Sequence, residues 1–188
     1  MKKIILSLTL TIAIAFVATA ESAKTLKVGD TAPAFKIKNT SGKEIDLAKL
    51  SAKGPVLVRL TCGCLGCDRE LPYFQALHQA YKNDGIRLVA IFAEPDEKFA
   101  KYAKSKQLKM QYALDPKRNS WKTFGTKTMP SNFLIGKGGK VIAISKGCDP
   151  SGLIARNLGD KTATLVKAEK VDIKSQVDKN RKPVVQKK

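Results

Sequence analysis

Residues 54–71 read GPVLVRLTCGCLGCDREL, and the fold turns on them. Residues 54–60 form a short, nearly continuous apolar run rich in β-branched side chains, the pattern of a central strand buried on both faces. After the cysteines, Leu71, Phe74, Leu77 and Tyr81 recur at helical spacing until Asn83, Asp84 and Gly85 end the helix. Pro72 falls inside that helix and predicts a kink. Three cysteines therefore sit where a buried strand hands over to a helix.

That position has chemical consequences. Cys64-Leu65-Gly66-Cys67 is a C-x-x-C, and its first cysteine falls at the helix N-terminus. Unpaired amide N–H groups and the helix dipole favour negative charge there. Such a cysteine has its pKa lowered from about 8.5 towards about 7, which makes it a thiolate nucleophile near neutral pH. Cys67 follows one turn later, and three residues of helix rise only about 4.5 Å. The two Cα atoms then fall within the roughly 4.4–6.8 Å that a disulfide spans. A staple across so small a loop stabilises little, so reversible exchange explains the pair better.

Working outward, residues 32–38 (APAFKIK) alternate like an edge strand, and Ser41-Gly42 supplies a turn. Residues 86–92 (IRLVAIF) read as a second buried strand, and PDEKFAKYAKSKQL follows as an amphipathic helix with Phe99, Tyr102 and Ala103 inward. MQYALD predicts a strand, RNSWKTFG a short helix closed by Gly125, and NFLIGKGGKVIAIS two strands joined by a glycine-rich hairpin. Residues 149–159 predict a last short helix. The order β, α, β, α, β, α, β, β, α indicates an α/β fold with a parallel centre and an antiparallel hairpin edge.

The ends of the chain read differently. Lys2 and Lys3 precede an apolar run over residues 4–17, and Ala18-Thr19-Ala20 gives a small-x-small cleavage pattern. Residues 1–20 therefore read as a secretory signal peptide; as an uncleaved membrane anchor the run is short. Export implies a periplasmic or secreted protein whose cysteines meet oxidising conditions. From residue 161 to 188 the chain is lysine-rich without a convincing period, which predicts a basic tail, flexible or at most marginally helical. The formal charge of +19 becomes +17 without Lys2 and Lys3. It favours weak association with anionic envelope surfaces. Aromatic content of 6% leaves a stacking surface for nucleic acid little to work with, and no nucleic-acid motif accompanies the lysines, so nucleic acid is not an expected partner.

The stretches VLVRLTCGCLGCDRELPYFQAL, GIRLVAIF, TMPSNFLIGKGGKVI and SKG resemble, in order, the exported TlpA/ResA-like thiol–disulfide oxidoreductases of the thioredoxin superfamily. The resemblance spans roughly residues 28–160 and implies a thioredoxin-like domain over 21–160. Its fold would be a central mixed β-sheet flanked by helices on both faces, ending in a β-hairpin. It implies Cys64 as attacking thiol, Cys67 as resolving thiol, Pro130 as a cis-proline beside them, and Glu70 as an acid influencing their ionisation. Met129, Gly63 and Gly147 would flank the substrate groove. Partners would be proteins with disulfides or thiols, together with an upstream redox partner, and no cofactor is implied. Glu70 also has a plainer explanation, as a first-turn acid offsetting the helix dipole.

The chain departs from the family pattern at three points. Gly63 stands where tryptophan is usual, Gly66 where proline is usual, and Cys62 and Cys148 are additional thiols. Four cysteines allow three full pairings, and a four-thiolate site for zinc or cuprous copper is the metal alternative. His78, eleven residues along the helix from Cys67, does not reach such a site. Two other functions stay open. A peroxiredoxin-like, antioxidant peroxidase is favoured by Thr61 three residues before Cys64. It is disfavoured by Leu57 in place of a proline and by nothing marking Arg59 or Arg156 as a thiolate-activating arginine. A non-enzymatic scaffold held by disulfides or metal is the third reading.

Overall fold

The computed structural model describes residues 25–180. The expected signal peptide lies outside them. Two short strands, β1 (Lys36–Lys38) and β2 (Glu44–Asp46), pair antiparallel ahead of helix α1 (Leu47–Lys53). The Asp46 side chain accepts the Lys49 N–H at 3.1 Å and starts α1, an element the sequence pattern did not single out. A five-stranded sheet follows in the order β5-β4-β3-β6-β7. Its strands are β3 (Val56–Thr61), β4 (Arg87–Phe92), β5 (Gln111–Leu114), β6 (Ser131–Ile135) and β7 (Val141–Lys146). β3 runs parallel to β4, β4 parallel to β5, and β6 antiparallel to both β3 and β7. The α/β reading, with a mixed sheet and a terminal hairpin, describes this architecture.

Every residue of β3 is buried, because helices cover both sheet faces. Leu57 points to one side, with Leu88, Ala90 and Phe92 of β4, against helices α2 (Leu65–Tyr81) and α3 (Asp96–Ser105). Val56, Val58 and Leu60 point to the other, where Leu47 of α1 and Trp121 of α4 (Asn119–Thr123) close the core. Alternation along β3 sends Arg59 to the α2 side with Leu57. α2 continues through Pro72, whose missing N–H leaves the Asp68 carbonyl without its helical partner.

The tail reading needs correcting up to residue 180. α5 spans Leu153–Val166, passing Gly159, and α6 spans Ile173–Asn180. Both pack on α2 through buried Leu158, Ala163, Ile173 and Val177. Thr162 looks like tail chemistry in the sequence, yet it is buried and its hydroxyl donates to the Leu158 carbonyl at 2.8 Å. The α6 side adds polar clasps: Tyr73 Oη donates to Asp178 at 2.6 Å, and Tyr81 Oη accepts the Val171 N–H at 2.8 Å. Among the described residues, no helix is long and apolar enough to cross a membrane.

Candidate active site

β3 ends at Thr61 and α2 begins at Leu65, so the cysteines occupy the carboxyl edge of the central strand. Cys64 is the N-cap of α2, extended at φ −70° and ψ 159°, and its side chain caps no amide as an oxygen would. It is exposed, whereas Cys67 retains only 3% exposure. The Cys64 thiol is held below its ordinary pKa, first by a hydrogen bond from Cys62 and then by the backbone N–H groups of Cys67 and Gly66. Cys62 moves the opposite way: burial pushes its thiol up, and donation to Cys64 adds to the shift. The additional cysteine is thus arranged to keep its proton while its neighbour's thiolate is favoured. Its sulfur also stands 3.4 Å from that of Cys67.

Cys148 stands near the start of α2 from the β7 side, outside the group of three. A β-carbon built at Gly66 would lie 2.8 Å from the Cys148 sulfur. Two departures from the family pattern are therefore one arrangement, since the extra sulfur occupies space that a side chain at 66 would need. Burial, then the charge of Glu70, raises the Cys148 pKa. Gly63 has a comparable cause: a β-carbon there would meet the Tyr102 ring at 3.4 Å. Its N–H donates to Glu94 Oε1 at 2.6 Å, while the other oxygen of Glu94 is buried without a partner among the described residues.

The Met129–Pro130 peptide is cis, and the Pro130 carbonyl accepts the Gly147 N–H at 2.9 Å. That bond joins two expected groove residues, with Pro130 buried and Met129 half-buried. Ser131 Oγ donates to the Thr128 carbonyl at 2.9 Å and holds the loop leading into the cis bond.

Glu70 is no dipole-offsetting surface acid. It is 1% exposed, accepts from Arg59 Nη2 at 2.7 Å and from the Asp149 N–H at 2.6 Å, and so ties α2 to the segment after Cys148. Arg59, also 1% exposed, donates its other amino group to Asn132 Oδ1 at 2.9 Å and lies 3.9 Å over the Phe74 ring. Asn132 in turn donates to Ser145 Oγ at 3.1 Å. Sequence reading singled out Glu70 but missed its arginine as a structural partner, and it missed Asn132 and Glu94 altogether. One signal was present for Arg59: a cation inside an otherwise apolar strand requires a buried anion. Its commitment to Glu70 and Asn132 leaves it unlike a thiolate-activating arginine. Arg156 is exposed on α5. His78 is half-buried on α2 and takes no part in the cysteine group; burial lowers its pKa.

Comparison with known proteins agrees with this geometry. The AhpC/TSA family model matches residues 28–144. The thiol-disulfide oxidoreductase ResA of Bacillus thuringiensis is 35% identical over 123 residues, covering 65% of this chain and 71% of the relative. ResA of Bacillus subtilis is 30% identical over 132 residues, covering 70% and 74%. Among solved structures, a Chlorobium tepidum protein assigned as the thiol:disulfide interchange protein DsbE superposes with a TM-score of 0.68. That match covers 76% of this chain and 99% of the other at 24% identity, a likeness of fold.

Proposed function

The chain belongs to the AhpC/TSA family and is a ResA-like thiol–disulfide oxidoreductase of the thioredoxin superfamily, and from that premise we propose that Cys64 and Cys67 exchange disulfides with protein substrates outside the cytoplasm. The observation that carries the assignment of roles is the contrast within the pair. Cys64 is exposed with its thiolate favoured at a helix N-terminus, while Cys67 is buried one turn behind it.

The reaction follows from that contrast. The Cys64 thiolate attacks one sulfur of a substrate disulfide; a Cys64–substrate bond forms, the substrate S–S bond breaks, and the departing thiolate takes up a proton. Cys67 then loses its proton and attacks the Cys64 sulfur. The mixed disulfide breaks, the second substrate thiol leaves, and two electrons have passed from the protein pair to the substrate. The reverse sequence oxidises a dithiol substrate. Pro130 and Met129 form one wall of the approach. Leu65, 69% exposed beside Cys64, offers an apolar contact for the incoming chain. Glu70 acts from beneath as a positioning residue, holding the segment that carries Cys148.

Export is supported by the leader pattern in residues 1–20 and by four cysteines in one small chain. The lysine-rich C-terminal region supports weak association with an anionic envelope surface.

The test uses the reduced full-length mature chain. Cys64→Ser abolishes exchange with a disulfide substrate, and Cys67→Ser accumulates mixed disulfides that stay bound through Cys64. At neutral pH, alkylation strikes Cys64 faster than Cys62 or Cys148 by about tenfold or more, and its pH midpoint falls below the ordinary thiol value of about 8.5. Normal exchange by Cys64→Ser overturns the assignment.

A further inference from the structure

Exchange chemistry uses two thiols, and this site gathers more. The sulfurs of Cys62, Cys64 and Cys67 all lie within 4.8 Å of one another, and Cys62 and Cys67 are 3.4 Å apart. An ion bound at the usual metal–thiolate distance of about 2.3 Å, at the centre of three sulfurs, needs them about 4.0 Å apart. With one edge at 3.4 Å and none above 4.8 Å, the observed triangle is close to that size, and small rotations about the side-chain bonds complete the geometry. We propose that the reduced protein binds one cuprous ion in a trigonal site made by Cys62, Cys64 and Cys67.

The donor set selects the ion. It consists of soft sulfur alone, with neither imidazole nor carboxylate in the group, which suits Cu(I). Zinc in a closed site takes four ligands in a tetrahedron, and Cys148 does not fall within this group. Three thiolates around a monovalent cation leave net negative charge. Cys64 caps α2, so the unpaired N–H groups of the first turn and the positive end of the helix dipole lie beside the site and are placed to offset it. Binding displaces the protons of the thiols, so affinity rises with pH.

Exchange and ion binding then compete for the same sulfurs. When Cys64 and Cys67 pass two electrons to a substrate disulfide, they become a disulfide and the substrate becomes two thiols. The ion stays Cu(I), loses two of its three ligands, and is released. Cys62, beyond its hydrogen bond to the Cys64 thiolate, then serves as the third ligand of a site that exists only in the dithiol state.

The experiment titrates the reduced full-length mature chain with Cu(I), without oxygen, against a chromogenic Cu(I) chelator, and records X-ray absorption of the complex. Expected are one Cu(I) per chain and three sulfur neighbours at about 2.3 Å. Cys62→Ser weakens binding by about tenfold or more and reduces the neighbours to two, while Cys148→Ser changes neither. Oxidation of the pair by a disulfide substrate frees the ion. Two sulfur neighbours in the unsubstituted protein overturn the proposal even if Cys62→Ser fails to fold. So do an unchanged affinity in Cys62→Ser, an equal loss in Cys148→Ser, and displacement of Cu(I) by equimolar Zn(II). Exchange assayed on the same preparations keeps the two readings apart, since exchange without copper binding removes only the metal site.

Discussion

A β-carbon at position 66 would stand 2.8 Å from the Cys148 sulfur but 3.8 Å from the Cys148 β-carbon, an ordinary contact. Only the sulfur excludes a side chain there. Gly66 lies in the first turn of α2, where alanine is the better helix former by up to about 1 kcal/mol. In a Cys148→Ala background, Gly66→Ala is therefore expected to stabilise the reduced protein by about 0.5 kcal/mol. With Cys148 present the gain is cancelled as the thiol is pushed aside, giving a coupling of about 0.5–1 kcal/mol in urea denaturation. Equal effects in both backgrounds would mean that the positions do not touch. This arrangement also marks what single-sequence reading reaches. The C-x-x-C was legible as a local pattern, and the cis-proline and Glu70 through the family resemblance. The Gly66–Cys148 contact was not, being 82 positions apart in sequence. Nor were the Asn132 link to Arg59 and the Glu94 carboxylate beneath Gly63, which only tertiary folding brings to the site.

Elements were legible in proportion to how far burial shapes their sequence. β3 and β4 are covered on both faces and read as nearly continuous apolar runs, interrupted in β3 by Arg59. α1 did not stand out, since LAKLSAK buries only Leu47 and Ser51 and looks like linker. α6 is the clearest case: eight residues hold two buried apolar side chains, Ile173 and Val177, one turn apart among polar neighbours. Two such residues make no period, yet Ile173 is fully buried against α2 and α5. Ile173→Ala is expected to cost about 2–4 kcal/mol by cavity formation. The exposed Lys179→Ala should stay within about 0.5 kcal/mol. Denaturant midpoints compare the two directly. Equal small losses would mean that α6 does not belong to the core, and the original reading of a loose tail would return.

For the whole molecule, the docking of α6 changes how its charge must be tested. Deleting the region from residue 161 onward would strip the α2 face of its cover, so lost surface binding would be indistinguishable from lost structure. Lys161, Lys170 and Lys179 are exposed cations of this region that, among the described residues, make no side-chain hydrogen bond or ion pair, so they can be neutralised without disturbing the core. Attraction of a basic protein to an anionic bilayer is worth about 1 kcal/mol per lysine near the surface. Replacing all three by glutamine should therefore lower partitioning onto vesicles rich in anionic lipid by about tenfold or more at low salt. The denaturation midpoint should stay nearly fixed. Raising ionic strength to about 1 M shortens the screening length to about 3 Å and should release the unsubstituted protein as well. Neutral vesicles should bind neither form. Partitioning that ignores both the substitutions and the salt would show that the +19 chain carries its charge for solubility alone.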